Sequence, residues 1–399
     1  MAYTSTDSAS LGGTVGSAGL VQKAYDRLVE FELRAQPLIR SVADKRPARQ
    51  AMPGSSVVLQ TYNDLDVATN TLTETTDPDA ISLATPSQVT ITLNEYGNSA
   101  LVTRKLQLFS LADVDPAIAN IVAFNMADSI DTVAQNTLIQ GTNVIYAAGA
   151  SGNTAATSTV TTDAADTIAA SDIRKAVAKL RANKATARKG SMYWCGIHPE
   201  ASYDLRAATG AGSWRLPHEY NSNENIWAGE IGSFEGAYFV ESPRMYTAKD
   251  GANQSALATA AAVSGVSGAY TIVAANSAFG GRAEVGDKIS GTNVGSGAKI
   301  TAISVGATNT TFTVDVANSG TVGTNTLTVT PVTRVYRTIL AGKQAFAEAV
   351  ASEPHVVIGP VTDRLMRFRP IGWYGVLGFA IYRNEALYRI ESGSAIGAL

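Results

Sequence analysis

Residues able to do chemistry near neutral pH are scarce in this chain. There are three histidines, His198, His218 and His355, and one cysteine, Cys195. His198-Pro199-Glu200 has the H-x-E spacing by which zinc deaminases set a ligand beside a general acid–base. That chemistry needs a following P-C-x-x-C, and Cys195 stands before the histidine instead of after it. The tripeptide reads better as the start of a helix. Gly342-Lys343 has the form of the end of a phosphate-binding loop, but Gln344 replaces the hydroxyl and Arg337 stands where the first glycine is required. No G-x-S-x-G turn and no dinucleotide fingerprint occurs. A single cysteine excludes an intrachain disulfide and a cysteine-based zinc site. No catalytic residue, metal or cofactor is expected.

Charge patterning carries more information. Residues 50–103 hold six acids, Asp64, Asp66, Glu74, Asp77, Asp79 and Glu95, and no lysine or arginine. Residues 20–50 hold seven basic side chains, Arg27, Arg34 and Arg40 among them, against four acids. A further basic group, Arg364, Arg367 and Arg369, lies near the C-terminal end. The acidic run is either a solvated loop or a patch that meets one of these basic groups on a second copy of the chain. Complementary patches of that kind fix register and speed encounter more than they add affinity. The net charge of −3 argues against a dedicated nucleic-acid binder. Charged residues are only 16% of the chain, which leaves neutral surface suited to buried interfaces.

The elements that must position these residues follow from periodicity. Residues 1–19 are Ser/Thr/Gly-rich and read as a flexible arm without a cleavable apolar leader. Leu20, Val21, Ala24, Tyr25, Leu28 and Val29 repeat at helical spacing, and Pro37 bends or ends that helix. From Ser55 to Val102 the chain reads as a long two-stranded excursion, with Thr75-Thr76-Asp77-Pro78-Asp79 as its turn. An isolated hairpin of this kind is not stable alone, so it must lie on its own body or on a neighbour. Asp115-Pro116 starts a long helix that Gly141 ends. Residues 142–170 read as loop with a short strand near Val160. Ser171-Asp172 caps a second helix, whose last turns hold Lys179, Arg181, Lys184, Arg188 and Lys189. Met192–Ile197 is a buried-strand candidate, a short helix runs from His198 to Ala208, and 226–245 reads as strand, turn, strand.

Composition shifts after Met245. Residues 251–333 contain six charged side chains and clear alternation in Lys299–Val305 and Thr311–Val316. This is the pattern of a small all-β domain inserted into a mixed one, and about 80 residues suffice for it to fold alone. The 399 residues thus form two or three packed units of an α+β chain. No apolar run approaches the roughly 18 residues needed to cross a bilayer, so no membrane partner is expected.

The order of parts resembles the Hong Kong 97-type major capsid proteins of tailed phages, and more narrowly the capsid family typified by podophage N four. The residues that carry this are Leu101–Phe109 entering the long helix, Ile226–Gly232, and Glu385-Ala386-Leu387-Tyr388-Arg389-Ile390-Glu391. The likeness covers most of the chain apart from 251–333. It implies an N-terminal arm (1–52), an extended loop (53–103) lying over a neighbouring subunit, and a peripheral domain with a spine helix (104–141 and 365–399). It also implies an axial domain (142–249 and 334–364) and a surface-exposed inserted β domain (250–333). Implied partners are further copies of the chain in pentamers and hexamers, portal and scaffolding proteins, decoration proteins, and packaged double-stranded DNA held without sequence specificity. The implied place is the virion shell, assembled in the host cytoplasm. Some relatives cross-link a lysine of the extended loop to a neighbour's asparagine. This loop has no lysine, so a non-covalent shell is expected. Rival readings are an encapsulin-type compartment shell, a tail or surface adhesin suggested by the Gly/Thr-rich β module, and a hydrolase with a β accessory domain.

Overall fold

The computed structural model describes residues 37–47, 56–62, 64–65, 67–69, 71–72, 74–75, 82, 85–109, 114–148, 158–207, 232–254, 256–257, 260–275, 283–306, 308–323, 326–360, 365 and 367–396. The basic helix expected before Pro37 and residues 226–231 of the strand expected at Ile226–Gly232 lie outside them. Along the chain come strands β1 (Asp44–Pro47), β2 (Ser56–Thr61), β3 (Ser87–Thr92) and β4 (Asn94–Thr103), then helices α1 (Arg104–Phe109) and α2 (Val114–Leu138). Next are β5 (Val144–Tyr146), α3 (Ala170–Ala182), β6 (Tyr193–Ile197), α4 (Pro199–Ala207), β7 (Ser233–Phe234), β8 (Ala237–Glu241) and β9 (Thr247–Asn253). Six strands follow: β10 (Ala260–Ser264), β11 (Thr271–Ala275), β12 (Lys288–Gly291), β13 (Ile300–Val305), β14 (Asn309–Val314) and β15 (Thr326–Thr330). The chain closes with β16 (Val332–Ala341), β17 (Phe346–Ile358), β18 (Phe368–Ile381) and β19 (Leu387–Ser392).

The described residues fall into two compact units. One contains Gly97–Met126 and Pro354–Tyr374, and the other contains Ala127–Glu353, Gly375–Leu399 and the described part of Ala35–Tyr96. The chain passes between them within β4, α2, β17 and β18.

In the larger unit a seven-stranded sheet has the order β5-β19-β16-β6-β8-β7, with β9 also pairing β16. β6 reads Tyr-Trp-Cys-Gly-Ile and is buried at every position, as expected of a strand covered on both faces. One face is covered by α3, whose Ile173, Ala176, Val177 and Leu180 recur at i, i+3, i+4 and i+7 and are all buried. The opposite face packs Ile39, Val42, Leu138, Trp194, Ile339, Phe346 and Leu387 together. α3 ends at Ala182, and Lys184 takes a left-handed conformation at φ 56°. Lys184, Arg188 and Lys189 therefore lie beyond the helix and do not serve its last turn.

α2 has 25 residues, about 37 Å at 1.5 Å each. Just past its C-terminal end the Arg389 guanidinium donates to the carbonyls of Ile139 and Gly141, placing a cation at the negative end of the helix. The region read as loop holds β5, and around Val160 it forms a 3-10 turn at Thr159–Thr161 instead of a strand.

Between β9 and β16 sits the six-stranded sheet β12-β15-β10-β11-β14-β13 with a core of its own, including Ile272, Ile289, Ile300, Phe312, Leu327 and Val329. β9 and β16 are antiparallel neighbours, with Val332 opposite Asn253 and Arg334 opposite Lys249. The points where the chain leaves and re-enters the mixed sheet are thus adjacent, which is why an insertion here leaves that sheet intact. At the junction the buried Asp287 accepts from Lys249 Nζ at 2.7 Å, Val332 N at 3.2 Å and Glu284 N at 2.8 Å. Glu284 in turn pairs with Lys249 at 2.8 Å and Arg334 at 3.2 Å, and the Lys249 hydrogen bond holds its carboxyl below the usual range.

Candidate assembly interface

β2 and β3 form the root of the extended excursion, paired antiparallel from Ser56 opposite Thr92 to Thr61 opposite Ser87. The root is tied to the body of its own chain. Ile91 is fully buried against Ala347 and Ala349 of β17, with Val57, Leu59, Leu93, Ala380 and Tyr382 around it. Gly378 makes this approach possible, since a Cβ there would meet the Thr92 carbonyl oxygen at 2.1 Å. Thr61 Oγ1 and the Tyr382 hydroxyl lie 3.1 Å apart, adding a polar tie.

Beyond the root the pattern reverses. Tyr62, Leu65, Val67 and Leu72 are 70%, 57%, 85% and 77% exposed. Among the described residues of 62–86 no strand forms and no large apolar side chain is buried. A tongue with an anchored root and a bare apolar tip is what a chain looks like when its partner surface belongs to another molecule.

The charged residues singled out from the sequence divide as follows. Asp64, Glu74 and Glu95 are exposed. Asp66, Asp77, Asp79, Arg27, Arg34 and Arg364 lie outside the described residues. Arg367 and Arg369 are exposed, and the Arg367 carbonyl accepts the Arg104 amide at 2.9 Å. Arg40 is engaged within its own chain: Nε donates to the fully buried Glu348 at 2.7 Å, and a second nitrogen donates to Glu353 at 2.9 Å. Its own backbone N–H and that of Ile39 donate to Asp131 of α2, at 3.2 and 2.7 Å. Asp131 is 2% exposed, and burial raises its pKa while those two amides and Arg244 pull it back. These contacts seat residues 39–47 between α2 and β17, where β1 runs parallel to β17 from Asp44 opposite Ala347. Nothing in the sequence marks Glu348 as the partner, because it lies 308 positions from Arg40.

The residues with catalytic potential have packing roles. His198 packs against Tyr336 with ring centroids 5.1 Å apart and the rings tilted by 47°, and its Nδ1 accepts the Glu200 amide at 3.3 Å. The Tyr336 hydroxyl donates to the Glu200 carboxylate. Burial lowers the His198 pKa and raises that of Tyr336, so both stay neutral at pH 7. Cys195 is fully buried in β6, and burial pushes its thiol far up, away from the reactive thiolate. A second buried acid, Glu391, is held by Arg337 at 3.2 Å, Arg389 at 2.8 Å and Thr159 Oγ1 at 2.5 Å. Among the described residues no group of His, Cys, Asp and Glu is arranged to hold a metal.

The family described as phage capsid protein matches residues 14–388. The chain belongs to that family. It is a structural, non-enzymatic shell protein of the virion, and it has the Hong Kong 97-type fold. Solved capsid structures align along nearly its whole length. The capsid of cyanophage P-SCSP1u matches at TM-score 0.59 and 12% identity over 96% of each chain. The cyanophage Pam1 capsid matches at TM-score 0.55 and 12% identity, over 96% of this chain and 98% of that one. The capsid of a native GTA particle matches at 0.54 and 14%, over 96% and 99%. At such identities the likeness speaks for the fold, and the family match supplies the role. No curated protein sequence matches the chain.

Proposed function

We propose that copies of this chain associate as pentamers and hexamers into a closed icosahedral shell around double-stranded DNA, each tongue lying over the next subunit. The observation that carries this is the contrast between Ile91, fully buried on its own β17, and Leu65, Val67 and Leu72, exposed beyond it. In this reading the seven-stranded sheet is the axial body, and α2 with the outer parts of β4, β17 and β18 is the peripheral arm. The last strand, Leu387–Ser392, then goes with the axial body, since it pairs with β16 and β5. Apolar tip contacts supply affinity, while the acids of 50–103 set register. Many modest contacts let wrong ones dissociate, and their sum makes the closed shell durable. Portal, scaffolding and decoration proteins are further partners, and the six-stranded β domain is the outward-facing part. Assembly takes place in the host cytoplasm. The shell is non-covalent at the tongue, since residues 50–103 contain no lysine.

Expression of the chain, with and without a scaffolding protein, followed by electron microscopy tests the reading. Closed particles are expected. Fibres or discrete trimers would overturn it in favour of an adhesin, and a stable cross-linked ladder on a denaturing gel, mapped to 50–103, would overturn the non-covalent tongue.

A further inference from the structure

The larger unit carries a cleft of about 440 Å³ lined by Asp44, Lys45, Arg46, Arg188, Lys343 and Gln344. Three segments distant in sequence build it: β1, the loop after α3, and the turn between β16 and β17. Asp44 is its keystone, with one carboxylate oxygen 3.3 Å from the Arg188 guanidinium and the other accepting the Gln344 amide at 2.6 Å. The Lys343 amide donates to the Thr186 carbonyl at 2.8 Å, so the turn is fixed onto the loop. Lys45 has a carboxylate only at 3.9 Å, Glu353, which Arg40 already holds at 2.9 Å. Arg46 and Lys343 are exposed and have no acidic partner among the described residues. The result is a concave surface with four cations, a single carboxylate in its wall and an excess of positive charge, in a chain whose net charge is −3.

We infer that this cleft binds the phosphate backbone of double-stranded DNA without reading its bases. The inference rests on the shell enclosing DNA as proposed above, and adds which residues would touch it. An acidic tongue from another copy is the competing occupant, and the lining decides against it. Every side chain of the cleft is charged or an amide, whereas the tongue must bury Leu65, Val67 and Leu72 and would leave them bare here. A phosphate backbone presents charge at regular spacing and asks for no apolar contact. Arg46 and Lys343 can each neutralise a phosphate and release a counterion, while Asp44 holds Arg188 in place. Gln344, in a left-handed conformation at φ 59°, gives its backbone amide to Asp44, so the turn helps to fix the carboxylate that holds Arg188.

The test uses the full chain, as soluble subunits, on a short duplex of random sequence, with binding measured between 50 and 200 mM salt. Each phosphate contact contributes about −0.9 to the slope of log K against log salt. The Arg46→Gln, Lys343→Gln double variant is expected to lower the magnitude of that slope by about two, and Lys175→Gln, an exposed cation elsewhere, is expected to leave it unchanged. Particle formation by the double variant should match wild type. An unchanged slope would overturn the inference. So would normal DNA binding with failed assembly, which would make the cleft a contact between copies, such as the tongue's landing site. Absence of closed particles from the wild-type chain would instead strike the shell reading, whatever the slope.

Discussion

Serine at the three tongue-tip positions, Leu65→Ser, Val67→Ser and Leu72→Ser together, should separate folding from assembly. The side chains are 57%, 85% and 77% exposed, so the isolated chain loses little when they change. Surface substitutions of this sort cost about 0.5 kcal/mol or less each. In the proposed shell the same side chains lie against a neighbour. Fully burying an aliphatic side chain is worth about 1.5–3 kcal/mol, so covering the exposed portions contributes on the order of 3–6 kcal/mol per tongue. At about 1.4 kcal/mol per tenfold, their loss raises the subunit concentration needed for assembly by roughly two to four orders of magnitude. Light scattering across a concentration series gives that threshold, and thermal unfolding of unassembled chain gives the folding control. The reasoning fails if the triple variant assembles at the wild-type threshold with an unchanged melting curve. It fails equally if the variant unfolds early, because the tip would then be packed within its own chain.

Charge reversal at Asp77 and Asp79 should slow assembly at low salt, with added salt restoring the rate where it slows the wild type, while leaving the melting temperature unchanged; particles forming at the wild-type rate would mean these acids are merely solvated. Arg40→Met leaves the fully buried Glu348 without its 2.7 Å partner, and its second oxygen already has none. A loss of about 3–5 kcal/mol in denaturant unfolding is expected, largely recovered by adding Glu348→Leu. Deleting 254–331 keeps the β9–β16 ladder and should leave particles intact, read by electron microscopy, since the deleted domain has its own core. Asp131 gives a pH signature. Its native pKa is raised by burial, so its contribution to stability is greatest below the unfolded carboxylate range, near 4, and is lost as pH rises through the native value. Asp131→Asn keeps an acceptor for the Ile39 and Arg40 amides and removes the titration. The wild-type stability minus that of the variant should therefore fall as pH rises above about 4 in urea unfolding.

Local chemistry made much of this fold legible. Asp115-Pro116 and Gly141 bracket α2 because cap and stop residues act within a turn or two of themselves. Lys299–Val305 and Thr311–Val316 announce β13 and β14 because a half-buried strand must alternate. Legibility ended where a residue's partner lies far along the chain. Arg40 looks like one more cation of a basic arm, yet Glu348 and Glu353, on a strand some three hundred residues away, occupy it. Arg188 looks like a helix-end charge, yet Lys184 turns left-handed, the helix stops, and Arg188 pairs with Asp44. The basic cleft was not legible for the same reason: two of its three segments read as basic in the sequence, but nothing there brings Lys45 and Arg46 beside Arg188 and Lys343.

The buried charges of the body and the unfinished surfaces answer different requirements. Glu348 with Arg40, Glu391 with Arg337 and Arg389, and Asp287 with Lys249 are all paired inside one chain. Each pair joins segments that must not shift when a subunit is pulled by its neighbours: arm to β17, β19 to β16, inserted domain to mixed sheet. Breaking one would leave an uncompensated charge in the interior, which makes the body resist partial opening. Among the described residues the tongue tip and the basic cleft have no such completion. One is apolar and asks for area, and the other is cationic and asks for anions, so a single partner cannot satisfy both. The net charge of −3 limits what the second can do. In the proposed shell, a few cations per subunit without an acidic partner among the described residues, on a body that otherwise repels a polyanion, would give contacts that are numerous and weak one by one. On the proposed reading, that balance would let DNA be packed against the wall and still leave it.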